Sequence, residues 1–337
     1  MTENNNSKSI DVFGVGNALV DILALVDDDF IRERALPRGA MILMDSEKQG
    51  GLLRDLENTC LQMRSGGSAA NTMIALAQSG GSGFYSGKVS RDTNGEFYRQ
   101  DLLAAGIHFD VHPAPAPSGS TGTCVVLTTP DAERTMCTHL GVSTKLGPTD
   151  INADRLKQCK YSYIEGYLWD APDPRKASIE TMELSKRNGV KVSFTFSDSF
   201  LVERFVDDFH KIVSDYCDVL FCNADEARRF CEEESLEVCA RKIGDLVELA
   251  FITDGANGSI VVENKQINHV PGFPVQAIDT VGAGDAFAGG ALFALAHGFS
   301  AKAAARWGNY LASRVVMVRG PRLQESYANR FREVMGI

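Results

Sequence analysis

"AIDTVGAGDAFAGG", residues 277–290, sets Gly282, Gly284, Gly289 and Gly290 around two aspartates, Asp279 and Asp285. The run that follows, "DAFAGGALFALAH" (285–297), is apolar on every side, so it reads as a buried helix whose N-terminus opens into an interior cleft. A helix start carries unpaired N–H groups and the positive end of the aligned peptide dipoles. With glycines there, an anion can lie against the N–H groups of Gly282, Ala283, Gly284 and Asp285 without meeting side chains. Asp285 then has two readings: a carboxylate that caps its own helix, or a base beside a bound phosphoryl group. In the second, the helix start is expected to hold the Asp285 carboxyl low and make it a weak base. Phosphoryl transfer tolerates that, because its transition state is loose and positioning contributes most. The turn's amides would stabilise charge on the migrating group.

Outward from this stretch, strands and helices alternate. "YSYIEGYLW" (161–169), "VKVSFTF" (190–196), "DVLFCN" (218–223) and "LAFITDG" (249–255) are β-rich apolar runs, and a further strand is expected to lead up to Ile278. Between the first two, "DPRKASIETMELSKRNG" (173–189) predicts a helix with Asp173 as cap, Pro174 at its first position and Gly189 just past its end. A second apolar face recurs at Leu201, Phe205, Phe209 and Ile212 or Val213. Buried strands alternating with helices imply a parallel sheet covered on both faces. The N-terminal third differs. "DVFGVGNALVDILALV" (11–26), "GAMILMD" (39–45), "GIHFDVHPAP" (106–115) and "GTCVVLTTPDAERTMCTHL" (122–140) read as short antiparallel strands, interrupted by a helix in "GGSAANTMIALAQSG" (66–80). The expectation is a doubly wound α/β body with a small β-sheet built from two separate segments.

The chain has 337 residues, and 34 basic against 44 acidic side chains give a net charge of −10. That argues against nucleic acid or an anionic membrane as the main partner. Eight cysteines show no CxxC pair, and Cys124, Cys159, Cys217, Cys222 and Cys239 lie in or beside apolar runs, as reduced buried thiols do. The polar start "MTENNNSKS" is unlike a secretory leader and no apolar run reaches membrane-spanning length, so a soluble, cytoplasmic protein is expected. Two glycine-rich stretches fall short of nucleotide fingerprints. "GVGNAL" (14–19) has Leu19 in place of the third glycine of a dinucleotide site, which counts against a dehydrogenase. "GSGFYSGKVS" (81–90) has the wrong spacing for a P-loop, with Val89 in place of its hydroxyl.

"DTVGAGDAFAGG" resembles the C-terminal signature of the ribokinase or PfkB family of carbohydrate and nucleoside kinases, and "RSGGSAANTMIALAQSG" (64–80) its N-terminal one. "NADE" (223–226) matches the family's NxxE element, and the resemblance runs over about residues 10–325. It implies a ribokinase-like three-layer α/β/α fold with a mostly parallel central sheet and a small β-sheet lid. The large domain would comprise 10–16, 47–106 and 141–337, and the lid 17–46 and 107–140. It implies an ATP-dependent kinase using Mg²⁺, with Asp285 as base and Gly282, Ala283 and Gly284 as anion hole. Asn223 and Glu226 would organise Mg²⁺ and phosphate through water, Thr253, Gly255 and Gly258 would bind nucleotide, and Asn309 would lie beside the adenine. Asp279 and the Val281 carbonyl resemble part of a potassium site.

For the acceptor, Asp21, Gly67 and Asn71 match residues holding vicinal hydroxyls of a ribose-like ring, with Asn17 and Glu165 as further contributors and Arg134 closing over the phosphates. A carboxylate with an amide suits a cis-diol, since it offers paired acceptors and a donor. Within the family the lid segments resemble adenosine-kinase-like members, in which Leu43, Cys124, Tyr167 and Phe200 would line a slot for the acceptor's base. The acid Glu165 is shared with sugar kinases of the family and leaves ribose, fructose or another nucleoside as the alternative acceptor. A non-catalytic nucleotide sensor is countered by the intact Asp285, Gly284, Asn223 and Glu226. A monomer or homodimer acting on a small molecule is expected.

Overall fold

Nine strands form the larger of two sheets in the computed structural model, which describes residues 8–59, 61–131 and 133–337. Strands are numbered along the chain. The small sheet holds β2 (Leu19–Leu25), β3 (Met41–Leu43), β4 (Gln62–Gly66), β7 (Gly122–Thr128) and β8 (Arg134–His139), in the order β3-β8-β7-β2-β4. The large sheet holds β1 (Ile10–Val15), β5 (Gly83–Ser86), β6 (Ile107–His108), β9 (Cys159–Glu165), β10 (Lys191–Thr195), β11 (Val219–Asn223), β12 (Leu249–Thr253), β13 (Gly258–Glu263) and β14 (Gln266–Pro271). Its order is β14-β13-β12-β11-β10-β9-β1-β5-β6, parallel from β12 through β6 and closed by the antiparallel β12-β13-β14 meander.

The apolar runs of β9 to β12 are buried on both faces because helices cover both. On one side pack Ser68–Gln78, Ala283–Ala296 and Ala301–Val315, through Met73, Phe287, Ala291 and Trp307. On the other pack Pro172–Arg187, Ser199–Asp215, Ala224–Cys231 and Leu236–Gly244, through Met182, Phe209, Phe230 and Ile243. The first pair of helices touches backbone to backbone: a Cβ on Gly289 would stand 2.3 Å from the Thr72 carbonyl oxygen. That contact explains a glycine in the middle of a buried helix, where it otherwise costs about 1 kcal/mol.

Several expectations are corrected. Ile107–His108 is the edge of the large sheet, parallel to β5, and not part of the small one. Gln62–Gly66, expected with the body, joins the small sheet antiparallel to β2; its sequence QMRSG lacks the apolar alternation of a strand because it is an exposed edge. The small sheet is mixed, β2/β7 and β3/β8 being parallel. The helix expected from Asp173 starts at Pro172 with Ala171 as cap; Asn188 ends it and Gly189 follows at φ +61°, as anticipated. No strand leads to Ile278: residues 272–280 are irregular, and the N–H groups of Ile278 and Asp279 donate to the Val316 carbonyl. Cys124, Cys159, Cys217, Cys222 and Cys239 are buried and free. Among the described residues no helix is long and apolar enough to cross a membrane.

Candidate active site

Four neighbouring strands, β9 to β12, end at Glu165, Thr195, Asn223 and Thr253, and all four residues line one cavity of about 360 Å³. Ligands in open α/β sheets bind at the carboxyl ends of the strands. The small sheet roofs this cavity and the first turn of the Ala283–Ala296 helix forms its wall.

At that wall, Gly282 adopts φ +79°, and a Cβ on it would stand 2.3 Å from the Pro321 carbonyl oxygen. Glycine is therefore demanded twice, by backbone conformation and by packing. The N–H groups of Gly282, Gly284 and Asp285 have no backbone acceptor among the described residues, whereas the Ala283 N–H donates to the Thr280 carbonyl at 3.3 Å. The cradle thus has three free donors where four were expected, and Ala283 does not line the cavity. Asp285 does. Its Oδ1 accepts from the Ser68 hydroxyl (2.7 Å) and its Oδ2 from Asn71 Nδ2 (3.2 Å). Burial pushes its carboxyl up to about 6, against the pull of those two hydrogen bonds and the Arg322 charge. The expectation of a depressed value is overturned: desolvation outweighs the helix terminus.

Across the cavity lies Asp21 on β2, buried, with its carboxyl pushed up to about 6 by desolvation. It has no hydrogen-bond partner among the described residues, so its acceptors face the cavity uncommitted. Gly67 (φ +98°) opens the Ser68–Gln78 helix so close to the Asn17 carbonyl that a Cβ would lie 2.1 Å from it. Glu165 lines the cavity, but its oxygens are engaged: Oε1 accepts from Asn17 N (2.7 Å) and Nδ2 (3.1 Å), and Oε2 from Ala69 N (2.7 Å). It straps the β1–β2 crossover to the helix start, and burial pushes its carboxyl up to about 7. Asn71, similarly, is shared between Asp285 and Arg322. Leu43, Cys124 and Tyr167 line the cavity; the Cys124 thiol, pushed up by burial, accepts from the Thr138 hydroxyl at 3.3 Å. Phe200 does not line it. In the first turn of its helix it is 38% exposed and tilts against Tyr167, with ring centroids 6.4 Å apart.

On the remaining side, Asn223 and Glu226 both line the cavity and form a reciprocal cap: Asn223 Oδ1 accepts from Glu226 N (2.8 Å), and Glu226 accepts from Asn223 N (3.0 Å) and Nδ2 (2.8 Å). Burial pushes the Glu226 carboxyl up to about 7. Thr253 lines the cavity, but Gly255 and Gly258 shape the β12–β13 turn outside it. Asn309 is buried elsewhere, its Nδ2 donating to the Val270 (3.0 Å) and Pro271 (3.2 Å) carbonyls, which ties its helix to β14. Arg134 enters the cavity, ion-paired to Asp279, with its Nε unpartnered. Asp279 stands outside the cavity and accepts as well from Gly320 N (2.8 Å) and Val281 N (3.1 Å).

Among the described residues no group of three or more His, Cys, Asp or Glu side chains could hold a metal by itself. Glu226 lines the cavity beside the strand ends with a carboxyl group, which fits a magnesium ion carried on phosphates and reached through water, the usual habit of that ion. A potassium ion fits less well, since Asp279 is already balanced by the Arg134 guanidinium. Sequence reasoning missed Ser68, although it follows Gly67 at a helix start, and the apolar roof of Leu23, Met41, Val126 and Met136. It also missed Arg322, for which no local signal exists.

The profile of the pfkB carbohydrate kinase family matches residues 46–326. The chain is 28% identical to Adenosine kinase 2 of Arabidopsis thaliana over 343 residues, covering 95% of this chain and 96% of that protein. Adenosine kinase from Sinorhizobium meliloti superposes with a TM-score of 0.89 at 35% identity, over 96% of this chain and 99% of that one. A probable sugar kinase from Rhizobium etli superposes with a TM-score of 0.90 at 32% identity, over 98% and 100%.

Proposed function

Because this chain belongs to the pfkB family of carbohydrate kinases, we propose that it transfers the γ-phosphate of ATP to a primary hydroxyl of a ribose-like acceptor, adenosine in the first place, yielding AMP and ADP. The observation that carries this reading is Asp285, half-buried in the cavity beside the free N–H groups of Gly282 and Gly284, with the uncommitted Asp21 facing the same space.

The acceptor's hydroxyl oxygen bonds to the γ-phosphorus while the bond from that phosphorus to the β,γ-bridging oxygen breaks, and the electron pair leaves with ADP. The hydroxyl proton passes to an Asp285 oxygen. A carboxyl raised to about 6 is a better base than an ordinary one and is still ionised at neutral pH. The N–H groups of Gly282, Gly284 and Asp285 meet the charge that spreads over the transferred oxygens. Asp21 takes the ring hydroxyls, and Arg134 meets phosphate with its unpartnered Nε. Glu226 and Asn223 would hold magnesium through water, and the ion would supply neutralisation of phosphate charge.

Adenosine is favoured by the relatives named adenosine kinase and by the apolar roof, a surface suited to a purine face. The likeness to a probable sugar kinase supports the second reading, a free sugar acceptor. Coupled ADP release with Mg²⁺ over a panel of nucleosides and sugars tests both. Adenosine is expected to give the highest kcat/KM; preference for ribose or fructose selects the second reading, and no ADP with any acceptor overturns phosphotransfer.

A further inference from the structure

Arg322, in "RGPRL" (319–323), is buried, and its guanidinium reaches three separate elements. Nε donates to Asn71 Oδ1 (3.0 Å), Nη1 to Asp101 Oδ2 (2.9 Å) and Nη2 to Ser65 Oγ (2.8 Å). Ser65 donates its own N–H (2.9 Å) and hydroxyl (2.5 Å) to that same Asp101 oxygen, which seats the arginine. Arginine has donors and no acceptor. Asn71 must therefore turn its carbonyl oxygen to Arg322 and its NH₂ away, and there Nδ2 meets Asp285 Oδ2. We propose that Arg322 is a positioning residue for phosphoryl transfer: it fixes the sense of the Asn71 amide so that nitrogen, and not oxygen, faces Asp285. This rests on the reading of Asp285 as the base.

Reversed, the amide would set its oxygen against a carboxylate oxygen, and protonating Asp285 would relieve the repulsion while abolishing the base. The titratable and charged groups facing Asp285 are Asp21 on β2, Tyr163 and Glu165 on β9, Tyr167 after it, Glu226 on the Ala224–Cys231 helix, and Arg322. Arg322 is the cation in this set, so its loss also leaves burial less opposed. A purely structural role is distinguishable. The neighbouring Pro321 carbonyl packs on Gly282, so a displaced 320–322 segment would disturb the N–H cradle equally at every pH.

The test uses the full-length chain as wild type, R322M, R322K and N71A/R322M. Carboxyl ¹³C titration of Asp285, assigned with D285N, is read beside the pH dependence of ADP release. In R322M the Asp285 midpoint is expected to rise by at least about half a unit, the acid limb of kcat/KM to rise with it, and kcat to fall more than nucleotide KM changes. R322K keeps the charge without the fork and should fall between. In the N71A background, removing Arg322 should lower kcat by a smaller factor than it does in the wild-type background, because the amide contact is already gone and only the charge on Asp285 is still lost. An unmoved Asp285 midpoint, or losses that multiply in the double variant, overturns the proposal. Should R322M fail to fold, R322K and D101N, which unseats the arginine, carry the same expectation. A wild-type chain that releases no ADP refutes the phosphotransfer reading instead, and the midpoint still reports on Arg322.

Discussion

At one end of the cavity the polar groups are unpaired backbone N–H groups of Gly282, Gly284 and Asp285, at a turn where Gly282 has φ +79° and packs on the Pro321 carbonyl. At the other end they are side chains of the small sheet, Leu23, Met41, Leu43, Val126 and Met136, of which Leu43 is 54% exposed. A backbone cradle can be altered only by changing the path of the chain, so it constrains the reaction. Roof side chains can be exchanged one at a time while the sheet stands, so the proposed function gives them the choice of acceptor. Similarity to both an adenosine kinase and a probable sugar kinase fits this division.

The division breaks if a change at either end behaves like a change at the other. Gly282→Ala forces a side chain into the left-handed region and against the Pro321 carbonyl, and is expected to lower kcat by about 10³-fold with every acceptor. A loss confined to one acceptor would contradict it. Asp21→Asn removes the uncommitted carboxylate, and should raise acceptor KM by about 10–100-fold while nucleotide KM stays within about two-fold. The pH profile comes next. The proposed base must be ionised to act, so with the Asp285 midpoint raised to about 6, kcat/KM is expected to be flat above it and to fall as pH drops through it. A limb at the ordinary carboxylate value would show that burial does not set this group. Smallest is Met136→Ala, which should raise adenosine KM about five-fold, leave nucleotide KM unchanged, and scarcely affect a free sugar.

The same contrast explains what could be read from the residues. The glycine-rich helix mouth and the alternation behind it were legible because steric demands on Gly67, Gly282 and Gly289 leave a mark on composition. The strands β9 to β12 were legible as continuous apolar runs. Gln62–Gly66 was not, since an edge strand with an exposed start carries no alternation. Ile107–His108 is only two residues long, too short for any periodicity. The raised carboxyl of Asp285 escaped because a helix start is a local feature, whereas burial is produced by the whole fold. Asn309 and Glu165 show the converse: their positions matched a binding pattern, but Asn309 Nδ2 is bonded to the Val270 and Pro271 carbonyls, and both Glu165 oxygens to Asn17 and Ala69. Arg322 meets partners 221 to 257 positions away, beyond the reach of spacing arguments.

Turnover and nucleotide affinity of Asp285→Asn, measured on the same preparation, test the heart of this account. The amide keeps the shape of the carboxylate and cannot take the acceptor's proton. A loss of kcat of at least about a hundred-fold is expected, with the nucleotide Kd changed by less than about three-fold. A variant that keeps most of its rate would contradict it.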